Sequence, residues 1–78
     1  MQIAVLGAGS WGSALAIAMS HVADSVLLWS HKLEQVDYFQ LHRNNPSYLP
    51  AEIIFPANIS FPIHFNECCE TDLLIIAT

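Results

Sequence analysis

Seventy-eight residues make one small domain or part of a larger one; 54% are apolar, only 12% are charged, and the net charge is −5. That balance excludes nucleic acid as a partner, since only Lys32 and Arg43 could meet phosphates, and no apolar run reaches membrane-spanning length. The apolar excess is more than an isolated small domain usually carries, so some apolar surface is expected to be covered by further chain or by a subunit. No basic region precedes the first apolar stretch, as a signal peptide would require. Adjacent Cys68 and Cys69 have no CxxC partner and read as reduced thiols, so the expected location is cytoplasmic.

In chain order, Gln2 to Leu6 is a nearly all-apolar first strand, as expected of a strand covered on both faces. It leads directly into Gly7-x-Gly9-x-x-Gly12 and then a helix over residues 11–21. Gly7 permits the tight turn out of the strand, Gly9 leaves room for a pyrophosphate at the backbone, and Gly12 lets the helix approach the sheet. The unbonded N–H groups of the helix's first turn, at the positive end of its dipole, are expected to face the phosphates. Ser10 is the expected helix cap. Trp11, Ala14, Leu15, Ala18, Met19 and Val22 recur at helical spacing and predict the buried face.

Residues 26–29 form a second apolar strand, completing strand, helix and strand in under thirty residues. A second helix is expected over residues 33–43, with Leu33, Val36, Phe39 and Leu41 inward. The turn formers of Asn44-Asn45-Pro46-Ser47-Tyr48-Leu49-Pro50 end it. Pro56 and Pro62 restrict residues 53–55 and 59–61 to short or edge strands. A helical turn capped by Asn66 is expected over 66–70, with both cysteines buried, and a buried strand over 72–78.

The fold class is therefore α/β: a Rossmann-type doubly wound parallel sheet, incomplete, the N-terminal half of a dinucleotide-binding domain. The fourth strand belongs beside the first, and without a following helix one sheet face is left bare. The preferred reading is the N-terminal fragment of a larger protein; the alternative is a small domain that buries this face in a homodimer.

Cofactor choice turns on the end of the second strand. A carboxylate there would accept from the ribose hydroxyls of NAD, but the sequence has Trp29-Ser30-His31-Lys32, with no acid before Glu34. A 2′-phosphate would suit Lys32, His31 and the Ser30 hydroxyl, so NADP(H) is expected over NAD(H).

The run Ile3-Ala4-Val5-Leu6-Gly7-Ala8-Gly9-Ser10-Trp11-Gly12-Ser13-Ala14-Leu15-Ala16 resembles the N-terminus of bacterial NAD(P)-dependent glycerol-3-phosphate dehydrogenases. So do Leu28-Trp29 and Asn45-Pro46-Ser47-Tyr48-Leu49-Pro50. The resemblance spans essentially the whole chain but only about the first quarter of the family's usual length. It implies a partial NAD(P)-binding Rossmann domain over residues 1–78, with the family's C-terminal substrate domain absent. It implies hydride transfer between NAD(P)H and dihydroxyacetone phosphate or sn-glycerol 3-phosphate, the substrate pair of the full-length protein and a source of phospholipid backbones.

By that resemblance Ser10 and Trp11 match cofactor contacts in the glycine loop, His31 and Lys32 the 2′-phosphate side, and Tyr48 a further cofactor contact. Together with Gly7, Gly9 and Gly12 these are the expected cofactor-binding residues. The family's two catalytic lysines fall beyond Thr78, so no catalytic residue is nominated. The segment from 60 to 71 departs from the family in its low charge and in Pro62.

Other chemistries find less support. The four histidines and two cysteines lack metal-ligand spacing, no Gly-x-Ser-x-Gly elbow activates Ser10 or Ser13, and the glycine loop lacks the lysine of an NTPase loop. The rival readings are a truncated, non-catalytic nucleotide-binding fragment and a different NAD(P) or FAD oxidoreductase.

Overall fold

The computed structural model describes residues 1–77; Thr78, the last residue of the expected final strand, lies outside the described residues. Four strands, β1 (Gln2–Leu6), β2 (Ser25–Trp29), β3 (Ile59–Ser60) and β4 (Leu73–Ile76), form one parallel sheet in the order β3-β2-β1-β4. Ile3 lies opposite Val26 on one side and Leu73 on the other, and Val26 opposite Ile59. The fourth strand thus sits beside the first, as expected of a doubly wound sheet. Two helices, α1 (Ser10–Ser20) and α2 (Leu33–His42), follow β1 and β2.

The two sheet faces follow from strand alternation. Ile3, Val5, Val26, Leu28 and Ile59 point into the main core with Ala16 of α1 and Val36 and Phe39 of α2. Phe39, Phe55 and Phe61 complete it as a mutually tilted trio with ring centroids 5.2–5.4 Å apart. Ala4 and Leu6 point the other way and meet Cys68, with Leu27 and Trp29 alongside. That second face is covered by a single 3-10 segment, Phe65–Glu70.

Helix α1 presents a different face from the expected one. Its buried residues are Gly12, Ser13, Ala16 and Ser20; Met19 packs against the core and Leu15 is half-buried, while Trp11, Ala14, Ala18 and Val22 face outward. The reason is distance. A Cβ on Gly12 would stand 1.7 Å from the Gly7 carbonyl oxygen, so the start of the helix lies against the glycine turn with no room for a side chain there, and small Ser13, Ala16 and Ser20 carry the buried face onward. The serine hydroxyls that this face buries are satisfied locally, Ser20 donating to Ile17 O at 2.5 Å and Ser13 to Ala8 O at 3.3 Å.

Helix α2 buries Val36 and Phe39 as expected, but Leu33 and Leu41 are exposed. Leu41 is two residues from Phe39 and so falls on the opposite side of the helix. The helix stops at Arg43, which takes left-handed angles (φ 56°), a conformation that costs a non-glycine residue about 1 kcal/mol. Interactions on both sides hold it there. Its N–H donates to Phe39 O, its carbonyl accepts from the Phe55 N–H at 2.7 Å, and its guanidinium donates to Pro56 O and Ile59 O at 2.7 Å each. Arg43 is therefore a structural knot rather than a phosphate ligand.

Residues 53–55 form no strand. Their segment is spent on turns, with the Ile53 N–H bonded to Pro50 O, and only Phe55 reaches the core. Strand β3 has two residues on the sheet edge, where Pro62 is tolerated. The 3-10 segment is capped by His64 rather than Asn66: the His64 N–H donates to Glu67 Oε2 at 3.3 Å and the Glu67 N–H donates to the His64 carbonyl at 3.2 Å. Cys68 is buried but Cys69 is exposed. Strand β4 is not buried: Leu73, Leu74 and Ile76 are all exposed on the sheet's outer edge.

Candidate dinucleotide site

Strand β1 ends at Leu6, and Gly7 turns the chain with φ 109°, a conformation that a side chain would strain. The Gly7 N–H donates to Trp29 O at 2.9 Å, so the turn is anchored to the end of β2. The three glycines then have three separate physical roles. Gly7 is set by its backbone angle, and Gly12 by the Gly7 carbonyl against it. Gly9 is set by neither: its φ of −78° suits any residue, and no atom lies within 4 Å of where its Cβ would stand. Nothing within the chain requires glycine at position 9, so open space there is available to a ligand.

Helix α1 begins one residue earlier than expected, at Ser10, with Gly9 as its N-cap and no side chain capping it. Ser10 is inside the first turn, so it is not the cap. Its first return bond runs from the Ser13 N–H to Gly9 O at 3.0 Å. Among the described residues no group accepts from the N–H groups of Ser10, Trp11 or Gly12. Three unpartnered backbone donors at the positive end of a helix thus follow the bare Gly9, an arrangement suited to an anion.

Five of the eight expected residues, Gly7, Gly9, His31, Lys32 and Tyr48, line one cleft of about 280 Å³ at the ends of β1 and β2. Ala8, Ser30, Gln35 and Ala77 complete its wall. The other three stand apart from it. Ser10 and Trp11 are exposed on the first turn of α1, the indole two-thirds exposed, and Gly12 is buried beneath the loop. His31 and Lys32 are exposed, and neither forms an ion pair among the described residues. A neighbouring hollow of about 320 Å³ shares Lys32, Gln35 and Tyr48 and adds Glu34, Tyr38 and Ser47.

Ser30 does not present a free hydroxyl. It is buried, donates to Gln35 Oε1 at 2.5 Å and accepts from the Lys32 N–H at 3.2 Å, so its role is to shape the loop that carries His31 and Lys32. Sequence reasoning missed the layer beneath the cleft. The Ala8 carbonyl accepts from Asn45 Nδ2 at 3.0 Å, Gln35 Nε2 at 3.3 Å and Ser13 Oγ at 3.3 Å, and Asn45 also donates to Ser13 Oγ at 2.8 Å. The signal for Asn45 was its place among turn formers; nothing in the pattern pairs it with a residue 37 positions earlier.

Two places away from the cleft carry shifted titrations. Burial, with the Cys69 and Glu67 charges, pushes the Cys68 thiol up to about 11, which leaves it protonated and inert. The hydrogen bond between the N-terminal ammonium and Asp24 raises the former and lowers the latter on the surface. Among the described residues no group of His, Cys, Asp and Glu side chains is placed to hold a metal ion, and no helix is long and apolar enough to cross a membrane.

The family model described as the N-terminus of NAD-dependent glycerol-3-phosphate dehydrogenase matches residues 2–78. A glycerol-3-phosphate dehydrogenase (NAD(P)+) of Legionella pneumophila is 43% identical over 76 residues, 96% of this chain and 23% of that protein. One from Bacillus pumilus is 38% identical over 97% of this chain and 22% of its own length. The crystal structure of glycerol-3-phosphate dehydrogenase from Coxiella burnetii superposes with a TM-score of 0.86 at 36% identity, over 96% of this chain and 23% of that one. The chain thus spans less than a quarter of the length of the relatives it matches.

Proposed function

The chain belongs to the NAD-dependent glycerol-3-phosphate dehydrogenase family, as its N-terminal region, and from that premise we propose that it binds the dinucleotide of such an enzyme. Within that reading the first turn of α1 holds the pyrophosphate, through the Ser10, Trp11 and Gly12 N–H groups beside Gly9. The observation that carries it is the conjunction of those unpartnered donors with a glycine that the chain's own packing does not require. Tyr48, from the loop after α2, lines the cleft together with His31 and Lys32.

A 2′-phosphate would gain from the exposed Lys32 ammonium and the His31 ring, and no carboxylate lines the cleft to bind ribose hydroxyls, so NADP(H) is preferred and NAD(H) is the weaker alternative. When bound, the dinucleotide supplies the hydride exchanged between its nicotinamide and the C2 of dihydroxyacetone phosphate or glycerol 3-phosphate. The part played by this chain is to bind and orient the cofactor, and the catalytic groups and the substrate domain are those of the full-length enzyme. The activity is then that of a cytoplasmic enzyme. The rival reading, a homodimer of a nucleotide-binding module, is supported by the exposed Leu74 and Ile76.

The isolated chain binds NADPH only weakly on this account, because it offers one side of a two-domain cleft. Calorimetry is expected to give a dissociation constant well above micromolar; micromolar or tighter binding would show the site to be complete in this chain. In an intact protein carrying this region, dihydroxyacetone phosphate should trigger NADPH oxidation, and no oxidation would favour the non-catalytic reading.

A further inference from the structure

We propose that Asn45 is the positioning residue of the cofactor loop, tying the Tyr48 turn to the glycine turn so that both walls of the cleft are set by one buried amide. The proposal deepens the dinucleotide-binding reading and rests on it for its functional consequence. Asn45 is 2% exposed, although it sits in a segment with no regular structure. Its side chain donates to the Ala8 carbonyl at 3.0 Å and to Ser13 Oγ at 2.8 Å, and Ser13 in turn reaches the same carbonyl. Ala8 stands between Gly7 and Gly9, and Ser13 is the residue whose N–H closes the first turn of α1 onto Gly9 O. One amide group therefore grips the peptide that separates the two loop glycines and the helix start that follows them.

The backbone of Asn45 grips the other wall. Its carbonyl accepts from the Tyr48 N–H at 3.2 Å and the Leu49 N–H at 2.9 Å, forming the turn that presents Tyr48 to the cleft. Side chain and main chain of one residue thus fix the two loops relative to each other. At Gly9 the turn gains no stiffness from side-chain packing, since glycine is the most conformationally free residue and the space where its Cβ would stand is open. Three preorganised N–H donors bind an anion well only if the loop does not have to be ordered on binding. An amide is suited to this task because it supplies two N–H donors to one carbonyl and one hydroxyl; a carboxylate at the same place would face the Ala8 oxygen with an oxygen.

The test uses the 78-residue chain, labelled with nitrogen-15, as wild type, Asn45→Ala, Asn45→Asp and, as a control destabilised away from the loop, Phe55→Leu. Without ligand, Asn45→Ala and Asn45→Asp are expected to shift the amide signals of Gly7, Gly9 and Ser10 and to speed their hydrogen exchange. Phe55→Leu should lower Tm while leaving those signals in place. With NADPH, Asn45→Ala and Asn45→Asp are expected to bind about tenfold more weakly than wild type, and Phe55→Leu unchanged at a temperature where it is folded. Unmoved loop amides in a folded Asn45→Ala chain, or equal loosening by Phe55→Leu, would overturn the positioning role. Moved loop amides in a chain whose wild type shows no NADPH binding would uphold it and overturn the dinucleotide reading instead.

Discussion

The two faces of the sheet are finished in different ways. On one, Ile3, Val5, Val26, Leu28 and Ile59 lie beneath two helices and three interlocked phenylalanines, and all are buried. On the other, Ala4 and Leu6 are covered by one cysteine of a 3-10 segment, Phe65 packs edge-on against Trp29 at 5.3 Å, and Ile76 is 69% exposed. The candidate site is built from the same elements as the closed face: the turn after β1, the start of α1, the end of β2 and the loop after α2. Its framework therefore does not wait on a cover for the open face. The difference separates a closed face that carries the loop framework from an open face with exposed apolar side chains.

Paired substitutions break or sharpen that contrast. Phe39→Ala, in the centre of the aromatic trio, is expected to cost about 3–5 kcal/mol, while Ile76→Ala on the open face stays within about 0.5 kcal/mol; denaturant titration of both checks it. Equal losses would mean that the open face is covered in solution. Gly12→Ala sets a Cβ into the Gly7 carbonyl and is expected to cost about 3 kcal/mol, or roughly 12–24 °C in Tm for a domain of this size. Gly9→Ala meets nothing, so Tm should hold within about 4 °C, while NADPH affinity falls about tenfold or more. If Gly9→Ala were as destabilising as Gly12→Ala, the open space at Gly9 would not be a ligand's.

Smaller effects follow from the chemistry of the open face and the surface. A thiol reagent at neutral pH should modify Cys69 readily and Cys68 only on unfolding, because Cys68 is buried and its thiol is pushed up to about 11; mass spectrometry of a time course reads this directly. Smallest is the pair between the N-terminus and Asp24. Asp24 is lowered below 3.8 and the ammonium raised above 8.0, so any stabilisation is present between those values. It is lost as pH falls through the Asp24 value and as pH rises through that of the ammonium. Both groups are fully solvent-exposed, and Asp24→Asn should leave Tm unresolved from wild type in physiological salt.

Strand, turn and helix to residue 42 were legible in the sequence to within a residue or two, because local pattern and local geometry agree there. The face of α1 was not. Apolar periodicity pointed to Trp11 and Val22, whereas the helix start has room only for Gly12 over the Gly7 carbonyl and the face continues through Ser13, Ala16 and Ser20; clearance leaves no trace in hydropathy. Residues 44–50 were legible as turns, but the short strand expected over 53–55 did not form. There, side chains from Arg43, Asn44, Asn45 and Asn58 bond distant carbonyls in place of ladder partners, and Asn58 reaches Ser20 O and Ala23 O at the end of α1. Such bonds depend on who is near in space, which one sequence does not encode as a pattern. Local motifs therefore named Gly7, Gly9, Lys32 and Tyr48, which the fold brings to one cleft, while the Asn45–Ala8–Ser13 layer beneath them leaves no such mark.

The central claim, that the first turn of α1 and the His31-Lys32 segment together hold a phosphorylated dinucleotide, is tested most directly by following the backbone amides of the chain during parallel titrations with NADPH and NADH. The account predicts shifts at Ser10, Trp11 and Gly12 with both, further shifts at His31 and Lys32 with NADPH, and tighter binding of NADPH. Still amides in the first turn, or NADH binding as tightly as NADPH, would contradict it.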